Sequence, residues 1–265
     1  MMISWSSVWA LVLRHSYIWK RDINLLLCGF YWPLLDILIW GFLGSWIATF
    51  QVAPFHNYKV AALLGILLWQ IVGRGCNIMI ISFTEELWSN NVVNLFSLPL
   101  KTIDWVCGIV LFNAIAMFLT SVFCMSVMFF IYDLPRWYVV STFLLFFPPL
   151  FFSSIWIGFT CLQILITWGK RGQELGFVAA WCLMPFSGAY YPIEVLPHWA
   201  QHVSAFLPMS YVFQGMRGYV MHQQDPTNYL IKGYVLSIIY AICAVLLFIH
   251  CLERSKRKGL ARLTD

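Results

Sequence analysis

Asp36 and Arg74 are the two ionisable side chains that stand deep inside apolar runs of this chain, where a charge costs at least ~2.5 kcal/mol on insertion scales. Such residues mark ion or substrate pathways, proton relays, or pairs that neutralise one another. Side chains lean toward the N-terminus of their own helix, so on antiparallel spans the two would lean toward each other, within a long arginine's reach. Three readings fit: a structural pair, a water-exposed pathway residue, and Arg74 snorkelling alone. His198 and His202 lie four apart, a helical spacing that permits metal binding, yet a third ligand is missing. Eight cysteines fall almost entirely within apolar runs and include no CxxC pair, so they read as packing residues. Neither HExxH nor GxSxG occurs, and no His stands with an acid at acyltransferase spacing. A membrane-embedded enzyme therefore lacks its minimum set of groups. Gly169-Lys170 lacks the upstream glycine of a phosphate-cradling loop, so no ATP site is expected in this chain.

The elements that must carry these residues are membrane spans. Of 265 residues, 61% are apolar and 10% charged, against about a quarter charged in soluble domains. Crossing roughly 30 Å of hydrocarbon takes about twenty apolar residues in helix. Six spans are expected in a single all-α membrane domain over 1–265: residues 24–48, 59–83, 105–131, 137–168, 175–189 and 232–252. The fourth contains Pro148-Pro149, which removes backbone donors and favours a kink. The fifth is short. Residues 3–20 place Trp5, Val8, Trp9 and Val12 at i, i+3, i+4 and i+7, with Ser7, Arg14 and His15 elsewhere on the wheel, as in an interfacial amphipathic helix over 1–23. The start does not read as a cleavable signal, because Arg14, Lys20 and Arg21 sit too far along and no cleavage motif follows.

Orientation follows from the basic residues. With the N-terminus inside, Arg14, Lys20, Arg21, Lys101, Lys170, Arg171, Arg254, Lys256, Arg257, Lys258 and Arg262 lie inside. Lys59, Arg136, Arg217 and Lys232 lie outside. The bias places both termini in the cytoplasm. The net charge of +5 is accounted for by this orientation signal, and no nucleic-acid module is visible.

Two segments are too patterned to be plain connections. Over residues 84–104, Trp88, Val92, Leu95 and Phe96 fall at i, i+4, i+7 and i+8, while Glu86, Ser89, Asn90, Asn94 and Ser97 make the opposite stripe. The spacing predicts one short inner-surface helix, stopped by Pro99, whose exposed face suits either a partner's groove or the lipid surface. Residues 190–222, following Ser187-Gly188-Ala189, are too apolar for a free loop and too broken by Pro and Gly for a span. A re-entrant pair of short helices is the natural solution, since irregular backbone at membrane depth must be buried in protein or line a wet cavity.

The run SGAYYPIEVLPHWAQHVSAFLPMSYVFQGMRG resembles the signature near the end of type-2 ABC exporter permeases, and EELWSNNVVNLFSLPL is similar to that family's coupling helix. With length and span count, the likeness covers essentially the whole chain. It implies a half-transporter in a bacterial inner membrane: two permease copies forming the pathway and two separate ATPase subunits binding ATP and Mg. It further implies that Glu85, Glu86, Trp88, Val92, Leu95, Phe96 and Pro99 receive the ATPase movement, with Trp168 to Glu174 contributing. Tyr190, Tyr191, Pro192, Pro197, Trp199, Pro208, Tyr211 and Arg217 would form the outer gate. Drug-like amphiphiles, lipids and lipid-linked glycans all remain open as cargo. An ion-coupled secondary transporter is the rival, disfavoured by the missing internal repeat and by the scarcity of midplane carboxylates.

Overall fold

The structure is a computed structural model that describes residues 4–48, 55–89, 91–98, 100–169 and 172–257. Every regular element among them is helical. In chain order these are α1 (Trp5–Arg21), α2 (Ile23–Ala48), α3 (Phe55–Trp88), α4 (Val92–Ser97), α5 (Thr102–Ile131), α6 (Arg136–Trp168), α7 (Gly172–Cys182), α8 (His198–Phe206), α9 (Pro208–His222) and α10 (Thr227–Arg257). Two single 3-10 turns, Met184–Phe186 and Ile193–Val195, link α7 to α8.

Five helices, α2, α3, α5, α6 and α10, are long and apolar enough to cross a membrane. The expected fifth span, 175–189, is instead α7 and the turn after it. Eleven residues of helix rise about 16 Å, roughly half of a hydrocarbon core.

Between α3 and α10, hydropathy and burial run in opposite senses. The apolar window of α3 has the lowest mean hydropathy of the five, 1.6, and is 89% buried, whereas that of α10 reaches 2.7 and is 28% buried. A helix facing lipid has no partner for polar side chains, so the outer helix must be the more apolar one. The central helix can hold Gln70 and Glu86, both buried and hydrogen-bonded. On the other side of α3 lies α6, which packs most extensively on α10. There the Ser153 and Ser237 hydroxyls meet at 3.1 Å, and Gln163 donates to the Ala244 carbonyl at 3.0 Å. The α6 helix continues through Pro148-Pro149, and the Ser153 hydroxyl donates to the Pro149 carbonyl.

Helix α1 forms as expected but is rotated about its axis. Val8, Leu11, Val12 and His15 are buried, while Trp5 and Trp9 are exposed. The turn is set by α5: Leu11 packs over Gly108, the His15 ring lies 5.4 Å from Phe112, and Asp104 accepts the Ser4 backbone N–H at 3.1 Å. Two bulky indoles cannot fit where a glycine admits one leucine.

Small residues decide other close approaches. A Cβ at Gly41 would meet the Tyr132 hydroxyl, and one at Gly158 the Met79 sulfur, whereas Gly44 has nothing within 4 Å and has no packing role among its described neighbours. The tightest backbone contact is at Gly65, where a Cβ would come within 2.5 Å of the Ala189 carbonyl oxygen. Backbone cannot swing aside as a side chain does. Gly65→Ala is expected to destabilise the fold by about 1–3 kcal/mol, read as a lower thermal unfolding midpoint in detergent, with Gly44→Ala unchanged as the control.

Candidate functional site

The corner between α3 and α4 carries the first set of candidate residues. The single helix expected through Glu85–Ser97 is in fact two pieces: α3 runs on to Trp88, and α4 begins at Val92. The cause is Glu86. Its carboxylate is buried and pairs with Arg14 of α1 at 2.7 Å, while the Asn91 side-chain amide donates to it at 2.7 Å. Asn91 must turn back toward Glu86 to do so, which a continuous helix would forbid at a separation of five. Glu86 therefore belongs to the interior and not to an exposed polar stripe. Val92 and Leu95 are buried in one apolar cluster with Leu11, Phe83 and Trp105. Trp88 and Leu98 are exposed, at 60% each, and Glu85 is half-buried. Phe96 packs on Trp105 and lies 4.6 Å beneath the Lys256 ammonium of α10. Thr102 closes the corner, donating to Glu253 and accepting from Lys256 at 2.7 Å. Pro99, Lys170 and Arg171 lie outside the described residues.

Asp36 and Arg74 are brought together through a residue that charge alone did not single out. Gln70 donates to the Asp36 carboxylate at 2.7 Å and accepts from Arg74 Nε at 3.2 Å. An amide offers a donor and an acceptor at once, so it joins an anion to a cation. The signal was present in the spacing, since Gln70 precedes Arg74 by one helical turn and shares its face. The same stretch of α2 is held a second time, by the Tyr132 hydroxyl donating to the Ile37 carbonyl at 3.2 Å.

The third set, residues 190–222, folds as two short helices, α8 and α9, preceded by 3-10 turns. Every break in a helix frees carbonyls, and here side chains take them up. Tyr191 donates to the Pro185 carbonyl at 2.9 Å and Tyr211 to that of Ala205 at 2.8 Å. Arg217 holds the carbonyls of Gly188 and Ala189, at 2.8 and 3.3 Å. Gly188 has φ of 73°, a conformation that suits glycine. Tyr190 packs on Trp40 of α2, and Trp199 edges onto Phe186. Pro197 and Pro208 stand immediately before and at the start of α8 and α9, where a missing N–H costs nothing. Sequence reasoning missed the serines. Ser204 donates to the Phe186 carbonyl at 2.7 Å, and Ser210 donates to those of Ser204 and Leu207, at 2.5 and 2.7 Å. Single serines amid apolar residues were their only trace.

Beside Arg217 a cavity of about 330 Å³ is lined by Glu194, Gln214, His222 and Gln224, with Pro192 at its edge. Burial lowers the guanidinium's hold on its proton and Glu194 opposes that shift. His198 and His202 are both exposed on α8. Among the described residues no three His, Cys, Asp or Glu side chains form a group that could hold a metal.

No protein-family model matches this chain, and a search of curated proteins returns no match either.

Two outcomes follow from this geometry. Gln70→Leu removes both the donor to Asp36 and the acceptor of Arg74 Nε, whereas Asp36→Asn keeps an acceptor for Gln70. The first variant is expected to cost about 2–3 kcal/mol and the second less than about 1 kcal/mol, compared by unfolding midpoints in the same detergent. Burial, reinforced by the Arg14 charge, pulls His15 from 6.5 down to about 4. A folded-state value below the unfolded one means that protons bind the unfolded chain better. Stability contributed by the neutral ring is therefore complete above about 6.5 and is lost as pH falls toward 4. At pH 5 the loss relative to pH 8 is about 2 kcal/mol. His15→Gln is expected to lack that part of the pH dependence, measured as amide exchange along α1.

Proposed function

We propose that this chain is the permease subunit of an ATP-driven exporter of the ABC type-2 class. Two copies form the pathway in a bacterial inner membrane, both termini face the cytoplasm, and separate ATPase subunits bind ATP and Mg. The observation that carries the reading is the α3–α4 corner. A six-residue helix sits between two long apolar helices and is tied at once to α1 through Glu86–Arg14, to α5 through Trp105, and to α10 through Phe96–Lys256. A push on such a corner reaches three helices together. Exposed Trp88 and Leu98 give a partner an apolar grip beside it.

The stitched segment at the other end of α3 supports the same reading. It is compact, adds no separate binding domain, and holds Tyr190, Tyr191, Tyr211 and Arg217 by hydrogen bonds and ring contacts, as a gate that moves as one body requires. In this reading α7 and the following segment complete the sixth crossing. The cargo is an amphiphile, drug-like or lipid, in keeping with the small outer segment.

Purification of the chain from its native membrane in mild detergent is expected to bring down a polypeptide with ATPase activity. Trp88→Ala and Leu98→Ala together are expected to reduce its recovery by roughly tenfold, the equivalent of about 1.4 kcal/mol. Stimulation of that ATPase by drug-like, lipid and glycan cargoes then separates the classes. Transport that runs on an ion gradient with no ATPase subunit present would overturn the proposal.

A further inference from the structure

The cavity of about 330 Å³ beside Arg217 is lined by charges of both signs that do not meet. Its volume falls within the roughly 300–1,000 Å³ of sites that enclose a small molecule. Arg217 and Glu194 both face it, yet among the described residues they form no ion pair.

Each charge is held on its own piece of backbone. The half-buried guanidinium uses one nitrogen, Nη2, to hold the Gly188 and Ala189 carbonyls, which leaves the N–H groups of Nε and Nη1 without a described partner. Glu194 stands on the Ile193–Val195 turn. That turn is pinned from two sides. Ile193 is buried so closely over Gly188 that a Cβ there would come within 2.9 Å of it, and the Gln201 amide donates to the Glu194 and Leu196 carbonyls at 3.4 and 2.8 Å. The Glu194 carboxylate itself has no hydrogen bond to a described residue.

The end of α9 supplies the neutral part of the wall. Gln223 takes the left-handed conformation, φ 52°, and turns the chain back so that the Gln224 backbone N–H donates to the Gly218 carbonyl at 3.2 Å. The Gln224 side chain then lies over Gly218, where a Cβ would come within 3.1 Å of its oxygen. With Gln214 it adds amide donors and acceptors to the lining.

A plain anion in this cavity meets repulsion from Glu194, and a plain cation meets it from Arg217. A ligand that carries both charges is attracted by both. We propose that this cavity binds a zwitterion, with its ammonium group at Glu194 and its phosphate at Arg217. The site goes beyond the export reading, because binding needs neither ATP nor an ATPase subunit. The zwitterion can come from free solution or from the headgroup of a bilayer lipid.

Calorimetric titration of the full chain in detergent tests the free source with glycerophosphoethanolamine against glycerophosphoglycerol, which lacks the ammonium, and ethanolamine, which lacks the phosphate. Native mass spectrometry tests the bilayer source with phosphatidylethanolamine against phosphatidylglycerol and a dialkylamine of matched chains. In at least one set the zwitterion is expected to bind at least roughly tenfold more tightly than either of its counterparts, and the set in which it does so identifies the source. Glu194→Gln keeps the shape and loses the charge, so it is expected to remove the margin over the ammonium-free probe. The Glu194 side chain is exposed and bonds no described residue. With a wild-type unfolding midpoint, this variant therefore decides the matter even where Arg217→Gln, which frees two carbonyls, fails to fold. A margin below tenfold in both sets, or an unchanged margin in a folded Glu194→Gln protein, overturns the site.

Discussion

A polar group taken out of water must be satisfied by another group of the protein, and that requirement shapes this molecule more than any other. In lipid an unpaired carbonyl or charge costs several kcal/mol. The bundle meets the requirement by placing its most polar long helix, α3, at the centre, where Gln70 and Glu86 find partners on α2, α1 and the α4 corner. The outer helix α10 carries the higher hydropathy because its outer face has only lipid to meet.

The same requirement is met differently at the two ends of α3. Around α8 and α9 it is met by neutral hydrogen bonds from serine and tyrosine hydroxyls and by one arginine, each holding a carbonyl freed by a bend. Many short local bonds make a stiff unit. At the α4 corner it is met by contacts of charged groups across long sequence separations, the Arg14–Glu86 ion pair and the hydrogen bond from Lys256 to the Thr102 hydroxyl. Fewer and longer connections bind separate helices to one point, a suitable arrangement for passing a displacement between them. The charged bridge through Gln70 lies between these ends and holds α2 to α3.

Much of this was legible before any coordinates. Three of the expected spans match α2, α5 and α6 to within a few residues, while α3 and α10 run on past both ends of their expected spans. The α8–α9 pair was legible because Pro197 and Pro208 punctuate it. What was not legible concerned rotation and partners. The apolar stripe of α1 admits two neighbouring faces, and only the gap over Gly108 selects the one with Leu11 and His15. Glu86 looks like a solvated stripe residue until Arg14, 72 positions away, comes beside it. The six-span count rested on 175–189, where apolar composition continues past the point at which the helix gives way to turns.

By itself, the amino-acid sequence determined that this is a helical membrane protein, where its long helices run, and which residues are costly in an apolar medium. These depend on composition and on periodicities of a few residues, which solvent transfer and helix geometry read directly. The tertiary structure alone decided which face of each helix turns inward, that Gln70 joins Asp36 to Arg74, and that the α3–α4 segment breaks at Glu86. Each of those depends on side chains from helices far apart in the chain, and no local pattern encodes which of them will meet.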